Sequence, residues 1–355
     1  MMSIAMDGVI DLRSDTVTLP TPAMIEAMRT ARLGDDGLDR DPTVRELEEL
    51  GAAMMGKEDA LFVVSGTMGN LVASLSHAVR GAEAVVDEHA HIARSEGGGI
   101  SRLAGLMCTR LPAPGGEMDL DQVRAALRSG YSRHGTPTAM VVVETSHNHA
   151  GGRVPSLAYM AGLRDAAGAA GVPVHIDGAR IFNAALALGV QASAVAAAGD
   201  SVTFCLSKGL SAPMGSVLAG SKDFIARARA FRRMAGGGLR QAGCVAAAGL
   251  VALREMTARL AEDHRRAALL WSLLRDADPA WVGDAPPPTN IVMVDVGAAR
   301  RPRDASAWVD ALARAGVAVR ARDARTLRLV THRHIGDNEC RAAAQALVSQ
   351  LGEPG

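Results

Sequence analysis

Lysine is scarce in this chain: arginine supplies nearly all the positive charge, and only Lys57, Lys208 and Lys222 occur. Where arginine stands wherever either cation would serve, each remaining lysine is a candidate for chemistry that needs a deprotonated amine, such as condensation with an aldehyde. Lys208 is singled out by context, because in Cys205-Leu-Ser-Lys-Gly-Leu210 it follows an apolar run and precedes a turn rich in glycine, serine and proline. A carboxylate, Asp177, closes the apolar run Val174-His-Ile-Asp177. A lone aspartate there is commonly a helix N-cap. At the carboxyl end of a buried parallel strand it also suits a cation or a protonated ring nitrogen. Ser65-Gly-Thr-Met-Gly-Asn70 follows a third apolar run and opens a helical pattern, setting N–H groups and a hydroxyl at a positive helix end, where an anion is favoured. It is neither a Walker loop nor a dinucleotide fingerprint, and any strand-to-helix turn needs a glycine and a cap. An amine at Lys208, a ring-nitrogen partner at Asp177 and a phosphate cradle at Gly66 and Thr67, each at a strand end, together describe pyridoxal phosphate.

The elements that must carry these residues are legible as alternating patterns. Short apolar runs at Ala60 to Val64, Ala84 to Asp87, Ala139 to Glu144, Val172 to Asp177, Ser201 to Leu206 and Ser216 to Ala219 predict strands. Helical spacing falls between them, at Thr43 to Met55, Met68 to His77, Leu120 to Ala126, Leu157 to Ala170, Ile181 to Ala187 and Lys222 to Met234. The fold class is therefore α/β, a mostly parallel sheet covered by helices on both faces, with ligands expected at the strands' carboxyl ends. From Ala242 to about Arg275 a long helical stretch follows, then Pro286 to Pro288, and then strand, helix, two strands and a final helix from Asp337 towards Leu351. This order predicts a small α+β domain. The expected organisation is an N-terminal arm over 1–20, a large domain over 21–245, and a connecting helix with a small C-terminal domain over 246–355.

Composition narrows the function. The chain has 355 residues, 48% of them hydrophobic and 21% charged, which fits an ordinary folded protein rather than a disordered one. Lysine plus arginine and aspartate plus glutamate number 38 each, so no net field steers the chain to nucleic acid or an anionic membrane. Cys108, Cys205, Cys244 and Cys340 form no Cys-x-x-Cys pair, which argues against a disulfide framework or zinc ribbon and for a reducing cytoplasm. The first residues lack a basic flank and a sustained apolar core, against a signal peptide. The apolar stretches Ala184 to Gly199 and Cys244 to Leu253 fall short of the roughly 18 residues of a membrane span.

At the level of motifs the resemblance becomes specific. Asp11-Leu-Arg-Ser-Asp-Thr-Val-Thr18, the Gly66-Thr67 turn, His175-Ile-Asp-Gly-Ala-Arg-Ile-Phe-Asn183, Cys205-Leu-Ser-Lys-Gly-Leu210, Gly236-Gly-Gly-Leu-Arg-Gln241 and Arg328-Leu-Val-Thr-His332 resemble the low-specificity L-threonine aldolases. The likeness runs from Asp11 to the final helix. It implies a pyridoxal-phosphate enzyme of the aspartate-aminotransferase fold that cleaves L-threonine, L-allo-threonine and related L-β-hydroxy-α-amino acids to glycine and an aldehyde. It further implies Lys208 as the covalent anchor, Asp177 as the ring-nitrogen partner, and Gly66, Thr67 and Ser207 as phosphate contacts. Ser14, Arg180 and Arg328 resemble carboxylate binders, for which an arginine fork is well shaped. Arg233 and Arg240 resemble basic residues that reach the cofactor phosphate of a neighbouring subunit, implying a homo-oligomer, a dimer of dimers, with shared active sites.

Two His-x-His pairs, His89-Ala-His91 and His147-Asn-His149, raise the question of zinc. Nothing in the spacing gathers them around one ion, and no metal is expected. The resemblance selects His91 as the residue stacked on the cofactor ring and His147 as the one near the substrate hydroxyl. His147, directly or through a water, is the first candidate base and His91 the second, since an ordinary imidazole titrates near 6.5. His89 and His149 have no counterpart in the family. The chain also carries Leu38 and Ser95 where aromatic residues are frequent, which bears on the preferred aldehyde. The alternatives are β-elimination, racemisation or transamination on the same cofactor, a binding protein on a retired enzyme scaffold, and, most weakly, a nicotinamide dehydrogenase.

Overall fold

The computed structural model describes residues 8–38, 40–131, 135–299 and 303–352. The first seven residues, on which the argument against a signal peptide rests, lie outside them, as does Asp39. The chain forms two compact units, one of Leu19–Thr257 and one of Met1–Thr18 with Ala258–Gly355. In chain order the strands are β1 (Ile10–Asp11), β2 (Asp59–Val63), β3 (Glu83–Asp87), β4 (Met107–Leu111), β5 (Thr138–Glu144), β6 (Val174–Asp177), β7 (Ser201–Cys205), β8 (Ser216–Gly220), β9 (Ile291–Asp295), β10 (Val317–Ala318), β11 (Arg320–Ala321) and β12 (Thr326–Val330). The first helices are α1 (Pro22–Thr30), α2 (Pro42–Met55) and α3 (Gly66–His77).

The larger unit holds a seven-stranded sheet in the order β2-β8-β7-β6-β5-β3-β4. Strands β3 to β7 run parallel, while β8 is antiparallel to both its neighbours, β7 and β2. Central strands are buried along their whole length, as in β5, which is why they are nearly continuous apolar runs. On one side Leu61, Val63 and Leu218 from β2 and β8 pack with Val72 and Ala73 of α3 and with Phe224, Ile225 and Ala228 of helix Lys222–Arg232. Each of the valine, leucine, isoleucine and phenylalanine side chains contributes about 1.5–3 kcal/mol when taken out of water. Helix α3 lies unusually close to β7: a Cβ on Gly69 would come within 2.5 Å of Thr203 Cγ2, so only glycine permits this approach.

Two expectations need correction. The helical stretch from Ala242 is not continuous: it comprises Gly243–Val251, a π-helical turn Ala252–Met256, a break, and Leu260–Ala277. At the break Thr257 Oγ1 donates back to the Leu253 carbonyl at 3.5 Å, a local bond that competes with the helix ladder, and the two units divide at this point. The strand expected over Val317 to Arg320 is two short ones, with β10 parallel to β1 and β11 antiparallel to β12. Otherwise the smaller unit is the α+β arrangement expected, with antiparallel β11-β12-β9 against helices Leu260–Ala277, Ala305–Arg314 and Asp337–Gly352 around Trp308, Leu312 and Leu347. Among the described residues no helix is long and apolar enough to cross a membrane.

Candidate active site

The parallel strands deliver carboxylates to one end of the larger sheet: β3 ends at Asp87, β5 at Glu144 and β6 at Asp177. The register sets Glu144 beside Asp177 and Asp177 beside Thr203. Asp177 is 3% exposed and takes two donors from the protein, Asn70 Nδ2–H to Oδ2 at 2.8 Å and the Ala179 N–H to Oδ1 at 3.3 Å. Asn70 lies one turn into α3, the helix opened by Gly66 and Thr67, and Ser65 caps that helix by accepting from the Met68 N–H at 3.1 Å. The amides of Gly66 and Thr67 are the helix's first two and have no partner within it.

Around this end the chain's loops are tied to the same carboxylates. Glu144 accepts from the His91 N–H at 2.8 Å and from the Asn148 N–H at 2.7 Å, so one side chain holds the loops that carry His91 and His147. His91 Nδ1 lies 2.8 Å from Glu96 Oε1, which also accepts from Asn70 Nδ2 at 2.9 Å. Asn70 thus bridges Glu96 and Asp177, and donor atoms of His91, Glu96 and Asp177 lie within 4.8 Å of one another. The hydrogen bond to Glu96 raises the His91 pKa against the effect of burial, with help from the charge of Asp177. Burial, with Asp177 close by, pushes the Glu96 carboxyl upward despite its bond to His91. Both directions keep a proton on the His91–Glu96 pair to higher pH than either group would hold alone.

His147 is a contrasting case. Its side chain is 2% exposed, its Nδ1 accepts from the Ala150 N–H at 3.0 Å, and its Nε2 stands 3.1 Å from Asp87 Oδ2. With Nδ1 accepting, the ring carries its proton on Nε2, the nitrogen that faces the Asp87 carboxylate. Burial opposes the imidazolium, but Asp87, Glu144 and Asp177 outweigh it and raise the pKa. Asp87 is in turn held below its usual value: burial opposes this, but His147 and the His89 N–H prevail. The His-x-His residues therefore go to separate partners: His91 to Glu96, His147 to Asp87, and His89 to a ring stack with His149 at 3.9 Å.

Lys208 and Ser207, both half-buried, lie in the loop that joins β7 to the antiparallel β8. The loop is closed by Leu206 N–H to Gly215 O at 3.0 Å and Ser211 N–H to Lys208 O at 2.8 Å. Arg180 is buried and precedes helix Ile181–Leu188. Arg233 and Arg240 are exposed and line a cavity of about 250 Å³ with Arg40, Arg229 and Arg232. In the smaller unit Arg328 Nη2 donates to the carbonyl of Arg13, the residue before Ser14, at 3.1 Å. Sequence reasoning left Asn70, Asp87 and Glu144 without roles; the signal for the two acids is their place at the end of an apolar run.

Residues 11–299 match the Beta-eliminating lyase family. The chain belongs to that family. Low-specificity L-threonine aldolase 1 of Arabidopsis thaliana is 46% identical over 290 residues, 81% of each chain. The low specificity L-threonine aldolase of Escherichia coli K12 is 42% identical over 290 residues, 81% of this chain and 85% of the other. The Leishmania major threonine aldolase structure superposes with a TM-score of 0.80 at 18% identity, covering 97% of this chain and 99% of that one. This member of the Beta-eliminating lyase family is thus a lyase whose relatives are threonine aldolases, and its fold is theirs.

Proposed function

We propose that this lyase cleaves L-threonine, L-allo-threonine and related L-β-hydroxy-α-amino acids to glycine and an aldehyde, with pyridoxal phosphate held on Lys208. The observation that carries the reading is the cluster of Asp177, Asn70, Glu96 and His91 at the strand ends. The residues fit the cofactor. Asp177 is a buried anion with donors on both oxygens and acceptor capacity left for a ring N–H. The Gly66 turn leaves a cradle that a side chain would fill, since a Cβ there would come within 2.9 Å of Cys205 Sγ. Beside it Ser216 Oγ is buried without a protein partner. Gly66, Thr67 and Ser207 would hold the phosphate, and Asp177 would keep the ring nitrogen protonated. Bound pyridoxal phosphate supplies the sink for the electron pair left on Cα when the Cα–Cβ bond breaks.

The chain's own groups do the rest. Arg180 binds the substrate carboxylate through its guanidinium fork. His91, whose side chain is 38% exposed, takes the β-hydroxyl proton at its open ring edge, and Glu96 stabilises the resulting charge. His147, enclosed between Asp87 and Ala150, positions the loop beside the hydroxyl. Arg233 and Arg240 serve the phosphate of a neighbouring subunit in a homo-oligomer, so a fully active, cofactor-loaded monomer in sedimentation would refute that part.

Borohydride reduction followed by peptide mapping is expected to label Lys208, and L-threonine, L-allo-threonine and phenylserine are expected to yield glycine plus aldehyde. A label on Lys57 or Lys222, or 2-oxobutyrate and ammonia from threonine in place of glycine and acetaldehyde, would overturn the assignment.

A further inference from the structure

Beneath Asp177 runs a line of polar groups, buried at Asn70, His175 and Ser201 and half-buried at His77, that the proposed chemistry does not use. Asn70 and His77 lie seven residues apart, on one face of α3; His175 and Asp177 alternate onto one face of β6; and the register of β7 sets Ser201 beside His175. The contacts are His77 Nε2 to Ser201 Oγ at 2.8 Å, Ser201 Oγ to His175 Nδ1 at 2.8 Å, and His175 Nε2 to Asn70 Oδ1 at 3.1 Å. Beyond them Asn70 Nδ2 reaches Asp177 and Glu96.

Only one arrangement of protons satisfies all these contacts. Two ionised carboxylates can only accept, so both Asn70 N–H groups are spent on them and its Oδ1 must accept. His175 Nε2 therefore donates, and as a neutral ring its Nδ1 must accept the Ser201 hydroxyl proton. That hydroxyl, its proton spent, accepts from His77 Nε2–H. Burial drives the pKa of His175 down to about 3 and that of His77 down to about 4, so both rings stay neutral near pH 7.

We propose that Asn70 is a positioning residue that keeps the neighbouring carboxylates of Asp177 and Glu96 apart, oriented and ionised, and that the one-way chain from His77 through Ser201 and His175 fixes its amide. The chain carries direction rather than charge. Without the two N–H groups the buried acids would repel each other, and one would take up a proton. For its effect on the cofactor the inference rests on the assignment of Asp177 to the ring nitrogen; the proton pattern itself does not.

Three measurements test it. Neutron diffraction of the deuterium-exchanged protein is expected to show deuterium on Nε2 of both His77 and His175, with each Nδ1 bare. Deuterium on His175 Nδ1 would overturn the chain. Asn70→Asp, nearly isosteric but lacking both donors, is expected to weaken pyridoxal phosphate binding to the apoprotein by ~10–100-fold, the range of hydrogen bonds to charged groups. It should also displace the pH profile of kcat while KM stays within about threefold. Should that variant fail to fold, Ser201→Ala, which removes only the relay hydroxyl, is expected to move both quantities the same way by a smaller factor. Unchanged cofactor affinity and pH profile in whichever variant folds would sink the proposal. Failure of wild-type Lys208 to take the borohydride label would instead sink the cofactor assignment and leave the neutron result standing.

Discussion

The surroundings of His91 and His147 pair the same two side-chain types and reach opposite results. Each imidazole faces a carboxylate and has a raised pKa. His91 stands at the start of a four-residue helix with its ring partly open, whereas His147 is sealed behind Gly116, where a Cβ would come within 2.9 Å of its own. An open ring can exchange a proton with a ligand. A sealed ring with a partner at each nitrogen can only hold a shape. Access, rather than residue identity or pKa direction, is what the proposed roles rest on.

The widest separation of these roles should come from alanine at each position. His147→Ala leaves Asp87 a buried charge without its partner, which costs about 3–5 kcal/mol of stability and is read as a lowered denaturation midpoint. His91→Ala should change stability by less than about 1 kcal/mol but lower kcat/KM on the order of 10²–10⁴-fold, the range of a lost proton acceptor. If the two variants exchange these phenotypes, the assignment of the base reverts to His147.

pH sharpens the contrast further. The His147 imidazolium, with its pKa raised in the fold, gives stability that is fully present below the unfolded value of about 6.5 and is lost as pH rises through the folded value. Thermal melts of the wild type should therefore fall on the alkaline side, and His147→Gln should flatten that slope. For His91 the readout is catalytic. The proton acceptor must be neutral, so the acid limb of kcat/KM should lie above pH 6.5, and Glu96→Gln, which removes the stabilising charge, should move it to lower pH. A limb that stays put would separate Glu96 from the base.

The smallest effect concerns the aldehyde. Leu38 is 77% exposed and Ser95 lies at the surface, so aromatic side chains there would add contact without filling a core. In Leu38→Tyr with Ser95→Phe, the kcat/KM ratio of threonine to phenylserine should shift towards threonine by under about 1 kcal/mol, below the usual effect of a methylene in a closed pocket. No shift would remove both positions from the substrate's surroundings.

Much of the fold was legible because buried parallel strands are nearly continuous apolar runs, which is how Asp177 and Lys208 stand out at their ends. Strand β4, Met-Cys-Thr-Arg-Leu, was not, since an edge strand with one neighbour needs little apolar surface. Helix α1 was also missed, although Thr21 before Pro22 is a start signal; its buried face amounts to little beyond Met24. The partners of the site were illegible for a different reason. Asn70 and Asp177 are 107 residues apart, and no local pattern encodes which side chains the sheet order brings together.

The reversal of β8 carries an evolutionary consequence. Because β7 turns back into β8 through residues 206–215, the segment bearing Lys208 is anchored at both ends by the pairing of Cys205 with Ser216 and closed by the Leu206–Gly215 and Ser211–Lys208 backbone bonds, so a change of length there breaks the bonds that set the lysine's place. The loops bearing His91 and His147 lead into crossovers between parallel strands, where insertions cost little chain entropy. Drift within this lineage should accordingly remodel the rim that meets the aldehyde, while the spacing around the lysine stays fixed.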